Sequence, residues 1–286
     1  MISDITLGQF FPGYSVLHKM DPRMKIIVAM LYIVAIFLAS TPVAFVTMML
    51  VTLILIFVSR ISFSVILKAV KPIIFILIFT ALINIFLTKG TGAPLVSFWV
   101  IKIYKEGIIR AVFMALRVII LIVGTSVLLT YTTSPIALTD GIESLLSPLK
   151  KIKVPVHTFA MMMSIALRFI PTLIEETEKI MNAQKSRGAD FSSGGLRKRA
   201  KALVPILVPL FVSSFKRAEE LATAMECRCY RGDKNRTKLV KLTLRFRDFM
   251  AFILFGGLLA LMIFSRNIPE GLIPNHRFFD IALYKL

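Results

Sequence analysis

Charged residues are scarce in this sequence, and acidic residues are the scarcest of them. Charged side chains make up 18% of the 286 residues, and hydrophobic side chains make up 57%. A soluble globular domain is nearer to about 25% charged and 45–50% apolar. A water-soluble monomer could not bury this much apolar surface. The composition therefore predicts a polytopic membrane protein and excludes disordered, collagen-like and coiled-coil chains.

Cysteine is almost absent, and so are the motifs of common enzyme sites. Cys227 and Cys229 are too few for a disulfide scaffold and fit a reducing compartment. The sequence has no Gly-x4-Gly-Lys-Ser/Thr phosphate loop and no His-Glu-x-x-His motif. We therefore expect no ATP hydrolysis by this chain alone, no catalytic residue and no metal site. The predicted spans lack Asp and Glu, which argues against a carboxylate proton relay.

Uncharged stretches predict about five transmembrane helices. A span needs roughly 17–25 largely apolar residues. The turn signal Ser40-Thr41-Pro42 divides the longest uncharged stretch into two short spans. The predicted spans cover residues 24–40, 43–58, 72–88, 118–139 (with a helix start near Ile108) and 249–265. The predicted fold class is an all-α integral membrane protein.

The excess of positive charge predicts the orientation in the membrane. The formal net charge is +19, and residues 141–247 hold 21 of the 35 Lys and Arg. Cytoplasmic segments collect Lys and Arg, so this region and the N-terminus are expected inside and the C-terminus outside. The position of these segments beside the lipid bilayer accounts for the positive charge, so no nucleic-acid partner is expected. The predicted divisions are a transmembrane domain of four spans (1–131), a cytoplasmic coupling-helix region (132–247) and a final transmembrane helix with its tail (248–286).

Two long amphipathic helices are predicted in the basic region, at about 157–187 and 198–228. Apolar and small residues recur along both at steps of three and four. Each helix contains an uncharged run of 14 residues, Val154–Leu167 in the first and Ala202–Phe215 in the second. Such a run is short for a span. An alternative topology makes the two runs a transmembrane hairpin, which gives seven spans.

The two helices share a weak internal repeat at an offset of 41 residues. Both read Glu-x4-Ala-x3-Arg, and the arginines are Arg187 and Arg228. Gly188 is the predicted helix terminator after the first, and Gly232 after the second. Small neighbours would let each arginine enter a partner's groove, where its planar guanidinium pairs with a carboxylate through two hydrogen bonds. Alternatively, both are ordinary cations near helix C-termini, which the helix dipole stabilises by about 0.3–1 kcal/mol.

Several segments together carry a resemblance to a known family. They are Thr132-Thr133-Ser134-Pro135, Leu145-Leu146-Ser147-Pro148-Leu149, Ser164-Ile165-Ala166-Leu167-Arg168-Phe169-Ile170-Pro171, Ser186-Arg187-Gly188 and Cys227-Arg228-Cys229. The sequence resembles the transmembrane T component (EcfT family) of energy-coupling factor (ECF) transporters, the vitamin-uptake branch of the ABC transporters. The resemblance runs over most of the chain. Family members typically carry two Ala-Arg-Gly-like triplets, so both arginines are kept here and their neighbours stay small.

The resemblance implies a scaffold and energy-coupling subunit that is not an enzyme. In the family, each arginine docks into a groove on one of two ABC-type ATPase subunits, A and A', which bind the ATP, so no cofactor is expected here. A separate S component captures the substrate and packs on the apolar faces of the coupling helices. The expected ATPase-binding residues are Ser186, Arg187, Gly188, Cys227, Arg228 and Cys229. The expected S-component-binding residues are Met161, Met162, Met163, Leu203, Leu207, Leu210 and Phe211.

Two other functions fit parts of the sequence. A conventional ABC-type permease would form the substrate path itself and would bind substrate alone. A membrane enzyme acting on lipids would use the basic region to bind anionic head groups. That enzyme needs catalytic carboxylates, but the acidic cluster Glu175, Glu176 and Glu178 is expected to be solvated surface. The transported substrate is not encoded here, and Arg117, a cation within the fourth span, is left without a role.

Overall fold

The described part of the chain is built almost entirely of α-helices. The computed structural model describes residues 10–88, 96–98, 101–189, 191, 195–232 and 242–267. The helices are α1 (Pro22–Leu38), α2 (Pro42–Ser59), α3 (Phe63–Val70), α4 (Ile74–Leu87), α5 (Lys105–Thr125), α6 (Pro135–Leu145), α7 (Val156–Ser186), α8 (Leu196–Cys227) and α9 (Phe246–Asn267). The short strands β1 (Val96–Phe98) and β2 (Ile101–Ile103) form an antiparallel hairpin in which Val96 lies opposite Ile103. The predicted all-α membrane fold is confirmed.

Five helical segments within the described ranges are long and apolar enough to cross a membrane. They are Pro42–Ser59, Phe63–Leu87, Lys105–Thr130, Val156–Ser186 and Phe246–Ser265. The number agrees with the prediction, but the set differs. At 17 residues, α1 lies at the short limit of a span. By length and composition α7 also qualifies, although the sequence favoured a cytoplasmic helix there.

The predicted third span, 72–88, agrees with α4 to within two residues, whereas the predicted end of the fourth span is wrong. Helical structure leading into the third span begins at Phe63, because the proline at 72 causes one 3-10 turn rather than a break. The helix of the predicted fourth span begins at Lys105, three residues before the predicted start near Ile108, but it ends at Thr130 rather than at residue 139, and its last turn is a π-helix. The next helix then starts at Pro135, with Ser134 as its cap: the Ser134 hydroxyl accepts a backbone N–H three residues on, at 3.3 Å. Helical structure in this span therefore stops at Thr130, ten residues before Asp140, the first charged residue after it.

Contacts divide the chain into two packing units. Of the described residues, those within 10–141 and 242–267 form the membrane unit, and those within 142–241 form the coupling unit. In the coupling unit, α7 and α8 lie within one or two residues of their predicted positions. The division of the chain into three domains at 131 and 247 stays a prediction.

Helix α5 lies at the centre of the membrane unit, where it contacts α1, α2, α3 and α4, while α1 also packs on α9. Tyr32 is fully buried at this centre. Its hydroxyl donates to the carbonyl oxygen of Ile120 at 3.0 Å and hydrogen bonds the Thr52 hydroxyl at 2.7 Å. Gly124 provides the space, because a Cβ at that position would lie 2.1 Å from the Tyr32 hydroxyl oxygen. The absent side chain at Gly124 therefore permits the α1–α5 contact.

Arg117 stabilises the end of α1. Its Nη2 donates to the carbonyl oxygen of Ala39, the C-cap residue of α1, at 2.6 Å. Its guanidinium carbon lies 5.1 Å from the centroid of the Phe45 ring on α2. A cation at a helix C-terminus and over an aromatic face is favourable on both counts. Arg117 therefore joins three helices of the membrane unit.

A buried polar cluster joins the start of α1 to the start of α9 and to the segment after α5. The Lys25 ammonium donates to the Thr132 carbonyl oxygen at 2.8 Å and to the Thr133 hydroxyl at 3.0 Å. The Asp248 carboxylate accepts the backbone N–H of Asp21 at 3.0 Å. Lys25 and Asp248 are only 2% and 1% exposed, so their hydrogen bonds offset the cost of burial. The Thr132-Thr133 motif thus has a structural role.

We expect Gly124→Ala to lower the free energy of unfolding by about 1–3 kcal/mol, the usual cost of overpacking a core. Gly256→Ala on α9 is the matched control, since its Cβ would meet no atom within 4 Å. That change should be neutral or stabilise by up to about 1 kcal/mol, because alanine favours the helix. Unfolding of the purified variants in detergent, followed by circular dichroism, measures both. Equal stability of the two variants would contradict the proposed close contact.

Candidate functional site

Helix α7 ends in a Schellman motif whose C-cap residue is Arg187. The next residue, Gly188, has a φ of +84°, in the left-handed region. Its N–H donates to the Lys185 carbonyl oxygen at 2.9 Å, and the N–H of Ala189 donates to that of Gln184 at 3.0 Å. These two hydrogen bonds satisfy carbonyl groups that a helix end otherwise leaves unpaired. The predicted role of Gly188 as helix terminator is confirmed.

Helix α8 ends in the same motif, with Arg228 as its C-cap residue. The N–H of Cys229 donates to the Glu226 carbonyl oxygen at 2.8 Å, and the N–H of Tyr230 donates to that of Met225 at 3.0 Å. Cys229 has a φ of +56°, so a cysteine adopts the conformation that glycine adopts in α7. The left-handed conformation costs an L-residue roughly 1–2 kcal/mol. The hydrogen bonds of the motif hold Cys229 there.

The prediction that Gly232 terminates α8 is therefore wrong. Gly232 has a positive φ of +75°, but the helix has already ended at Cys227. The terminator is Cys229, which occupies the place of a glycine in the usual triplet. Arg187 and Arg228 consequently have nearly the same backbone conformation, with φ values of −87° and −91°. The sequence repeat is a structural repeat of two helix ends.

All six predicted ATPase-binding residues are exposed. The Ser186 hydroxyl donates to the Asn182 carbonyl oxygen one turn back, at 3.1 Å, and so stays close to its own helix. Within the described ranges, no ion pair or side-chain hydrogen bond engages the guanidinium of Arg187 or Arg228. Both guanidinium groups are therefore accessible to a partner protein.

An ion pair joins α7 to α8 at equivalent positions of the repeat. The Arg217 Nη2 lies 2.8 Å from the Glu176 Oε2, and the Ser213 hydroxyl donates to the other carboxylate oxygen. Glu176 and Arg217 are 41 residues apart, which is the repeat offset. The expectation that Glu176 is solvated surface is wrong: its side chain is 21% exposed and is held between helices. The sequence repeat itself was the available signal, because it pairs these two positions.

The ion pair divides the two helices symmetrically. Arg187 lies 11 residues beyond Glu176, and Arg228 lies 11 residues beyond Arg217. Each arm is therefore about 16 Å long at 1.5 Å per residue. Tyr230, just after α8, lines the same cleft as Met161 near the start of α7, so the two helices run in opposite directions. The two arginine ends consequently lie at opposite ends of the helix pair.

The sequence matches known proteins over most of its length. The family model described as cobalt transport protein, CbiQ, matches residues 13–239. The chain belongs to the CbiQ/EcfT family. Its relatives include the energy-coupling factor transporter transmembrane protein EcfT of Clostridium kluyveri, 54% identical over 93% of this chain and 98% of the relative. The proteins of the same name from Ruminiclostridium cellulolyticum and Bacillus subtilis are 55% and 47% identical, over 87% and 93% of this chain and 91% and 100% of the relatives.

Family membership confirms the resemblance found in the sequence. This EcfT family member is a multi-pass membrane protein with the scaffold role of the T component in an ECF transporter. The apolar helices described above are thus those of a membrane transport subunit.

Of the predicted S-component-binding residues, some are half-buried and the others are exposed. Leu210 and Met161 are half-buried, and Met161 lines the cleft between the helices. Ile206, one position from the predicted Leu207, is buried and was not predicted. The residues that remain exposed are Met162, Met163, Leu203, Leu207 and Phe211. Leu203, Leu207 and Phe211 recur every four residues, so they form one stripe along α8.

The left-handed conformation at Cys229 and Gly188 predicts that glycine is the more stable residue at both positions. Cys229→Gly should raise the free energy of unfolding by up to about 1 kcal/mol, because glycine adopts this conformation without steric strain. Gly188→Ala at the equivalent position should lower it by about 1 kcal/mol. Cys227→Gly, inside the last helical turn, is the control and should lower it by about 0.5–1 kcal/mol. Thermal unfolding in detergent measures all three. Destabilisation by Cys229→Gly would contradict the helix-end geometry.

Proposed function

We propose that this T component transmits the ATP-driven motion of two ABC-type ATPase subunits to an S component that binds a vitamin or another micronutrient. One observation carries the proposal: Arg187 and Arg228 are exposed C-cap residues of equivalent helix ends, at opposite ends of one helix pair. Two helix ends of the same geometry are suited to bind two related ATPase subunits. In this proposal the ATPases bind the ATP, and the chain contributes no catalytic residue and binds no cofactor.

The chemistry of arginine supports a docking role at both ends. The negative end of the helix dipole holds each guanidinium locally, but it does not satisfy the five N–H donors of that group. A carboxylate in a groove of an ATPase satisfies two of them through a bidentate pair. The exposed small residues beside each arginine leave room for the walls of such a groove. Ser186, Gly188, Cys227 and Cys229 are therefore proposed as contact residues.

The contact between the helices supports transmission of motion. Glu176, Arg217 and Ser213 join α7 and α8 near the middle of the pair. Each helix is continuous on both sides of this contact, over 31 and 32 residues. A displacement of either arginine end is therefore expected to move the apolar half of the same helix. The coupling is mechanical and needs no chemistry on this chain.

The exposed apolar side chains support an S-component surface on the same helices. Leu203, Leu207 and Phe211 are apolar and exposed on α8, and Met162 and Met163 are exposed on α7. Single exposed apolar residues are ordinary, but a continuous stripe indicates a contact with lipid or protein. Methionine is flexible and polarisable, which suits a surface that accepts different partners. We propose that this stripe contacts an S component within the bilayer.

The proposed orientation follows the charge distribution. The coupling unit holds most of the Lys and Arg, which favours the cytoplasmic side. The N-terminus is proposed on the same side and the C-terminus outside. This orientation presents both arginine ends to soluble ATPases.

Arg187→Ala and Arg228→Ala should each reduce transport sharply, and the double variant should abolish it and weaken ATPase association. Removing one partner of a desolvated ion pair costs about 2–5 kcal/mol, because the other charge is left unpaired. Lysine should rescue poorly, because it does not form the bidentate pair. The measurements are substrate uptake by proteoliposomes that hold the complete complex, with ATP on the ATPase side, and ATPase recovery in a pull-down.

Arg197→Ala is the control for the loss of one arginine, since Arg197 is exposed at the start of α8, outside both motifs. It should transport normally. Uptake by the double alanine variant at the wild-type rate would refute the docking role, and the arginines would then be ordinary helix-end cations. Uptake without any S component would instead favour a conventional permease.

Leu207→Glu or Met163→Glu should weaken S-component association more than ATPase association. The two side chains are 58% and 54% exposed, so a charge there does not enter the core of the coupling unit. Thr223→Glu, an exposed position of α8 beyond the ion pair, is the control and should leave S-component association intact. Both associations are measured on one preparation by affinity purification. An equal loss of both would argue against this surface.

A further inference from the structure

A cleft of about 700 Å³ lies between the first half of α7 and the end of α8. Three arginines line it: Arg168 from α7, and Arg228 and Arg231 from the end of α8 and the turn that follows. We propose that this cleft binds the phosphate group of an anionic phospholipid. The inference goes beyond the ATPase docking proposed above, which uses Arg228 but gives no role to Arg168 or Arg231.

The charge of the cleft favours an anion. Three guanidinium groups border one cavity, and none of the described residues that line it is acidic. Within the described ranges, Arg168 and Arg231 form no ion pair or side-chain hydrogen bond. Three cations that line one cleft repel one another, and a bound anion offsets that repulsion. Arginine also pairs bidentately with phosphate oxygens.

Polar groups beside the arginines suit a phosphate ester. The hydroxyl-bearing residues Ser164 and Tyr230 line the same cleft. Ser164 and Arg168 are four residues apart on α7 and therefore share a face of that helix. A phosphate has several acceptor oxygens, so guanidinium and hydroxyl donors can bind it together. ATPase docking gives the Ser164–Pro171 motif no role. In this proposal its Ser164 and Arg168 supply hydrogen-bond donors to the phosphate.

The apolar lining of the cleft favours a lipid over a free phosphate. Met161, Ile165, Leu221 and Met225 also line it. Arg168 directly follows the uncharged run Val154–Leu167, where exposed apolar side chains such as Phe159 are found. The cleft therefore lies at the boundary between the apolar and the charged part of α7. A phospholipid has the matching amphipathic structure, with a phosphate beside acyl chains.

The test compares three probes on the full-length chain, purified in a neutral detergent. They are phosphatidylglycerol, phosphatidylcholine with the same acyl chains, and inorganic phosphate. Native mass spectrometry over a concentration series gives the dissociation constant of each lipid. We expect phosphatidylglycerol to bind about tenfold more tightly than phosphatidylcholine, because the three arginines repel the choline cation beside the phosphate of the latter. Inorganic phosphate at millimolar concentration should not displace phosphatidylglycerol. Loss of one charge-assisted contact should weaken binding about tenfold, so Arg168→Gln with Arg231→Gln should abolish the preference.

Arg197→Gln, an exposed arginine of α8 outside the cleft, is the matched control and should keep the preference. Equal binding of both lipids by the wild-type chain overturns the proposal, as does an unchanged preference in the double variant. Full displacement by inorganic phosphate assigns the cleft to a free anion and also overturns it. An unchanged lipid preference together with lost ATPase association assigns the cleft to the protein interface instead. Arg228 is left intact, so failure of this test leaves the docking proposal standing.

A wild-type measurement covers the case in which the double variant does not fold. Phosphatidylglycerol with a photoreactive group on its head group is crosslinked to the full-length chain, and the labelled peptides are identified. Labels within 161–168 or 228–232 support the site. Labels confined to other segments overturn it.

Discussion

The geometry of the coupling unit depends on the contact between Glu176, Arg217 and Ser213. It is the ion pair between α7 and α8 within the described ranges. With it, the crossing point lies at equivalent positions of the repeat, and the two arginine ends are equally far from it. The ion pair is partly exposed, so solvent screens it and its own contribution to stability is small. Its importance lies in the register of the helices rather than in their stability.

The membrane unit uses polar groups in a different way. Tyr32, Lys25 and Asp248 are buried with their hydrogen-bond partners, and Arg117 caps one helix while it packs on another. In a low-dielectric interior, a satisfied polar contact is strong and an unsatisfied one is costly. Such contacts select one arrangement of helices whose apolar surfaces alone would pack in several ways. The coupling unit instead keeps the arginines of its helix ends exposed.

Periodicity predicted α7 and α8 to within two residues, because an amphipathic pattern is a local property of the chain. The repeat likewise predicted two equivalent arginine ends. The end of the fourth span was not predictable from charge, since its helical structure stops at Thr130 and the first charged residue after it is Asp140. Cys229 as a helix terminator was missed because propensity favours glycine for a left-handed residue. Glu176 was misjudged because its partner lies on another helix, and a single sequence does not report tertiary contacts directly.

The cysteine pair has a practical consequence for experiments on the isolated chain. Cys227 and Cys229 are the two cysteines of the chain, and both are exposed at the end of α8. The near-symmetry of the helix pair would otherwise make signals from its two ends hard to separate. A thiol-reactive fluorophore or spin label attaches to the α8 end alone, in the natural sequence and without an introduced cysteine. In the isolated chain, the mobility of the α8 end is therefore observable separately from that of the α7 end.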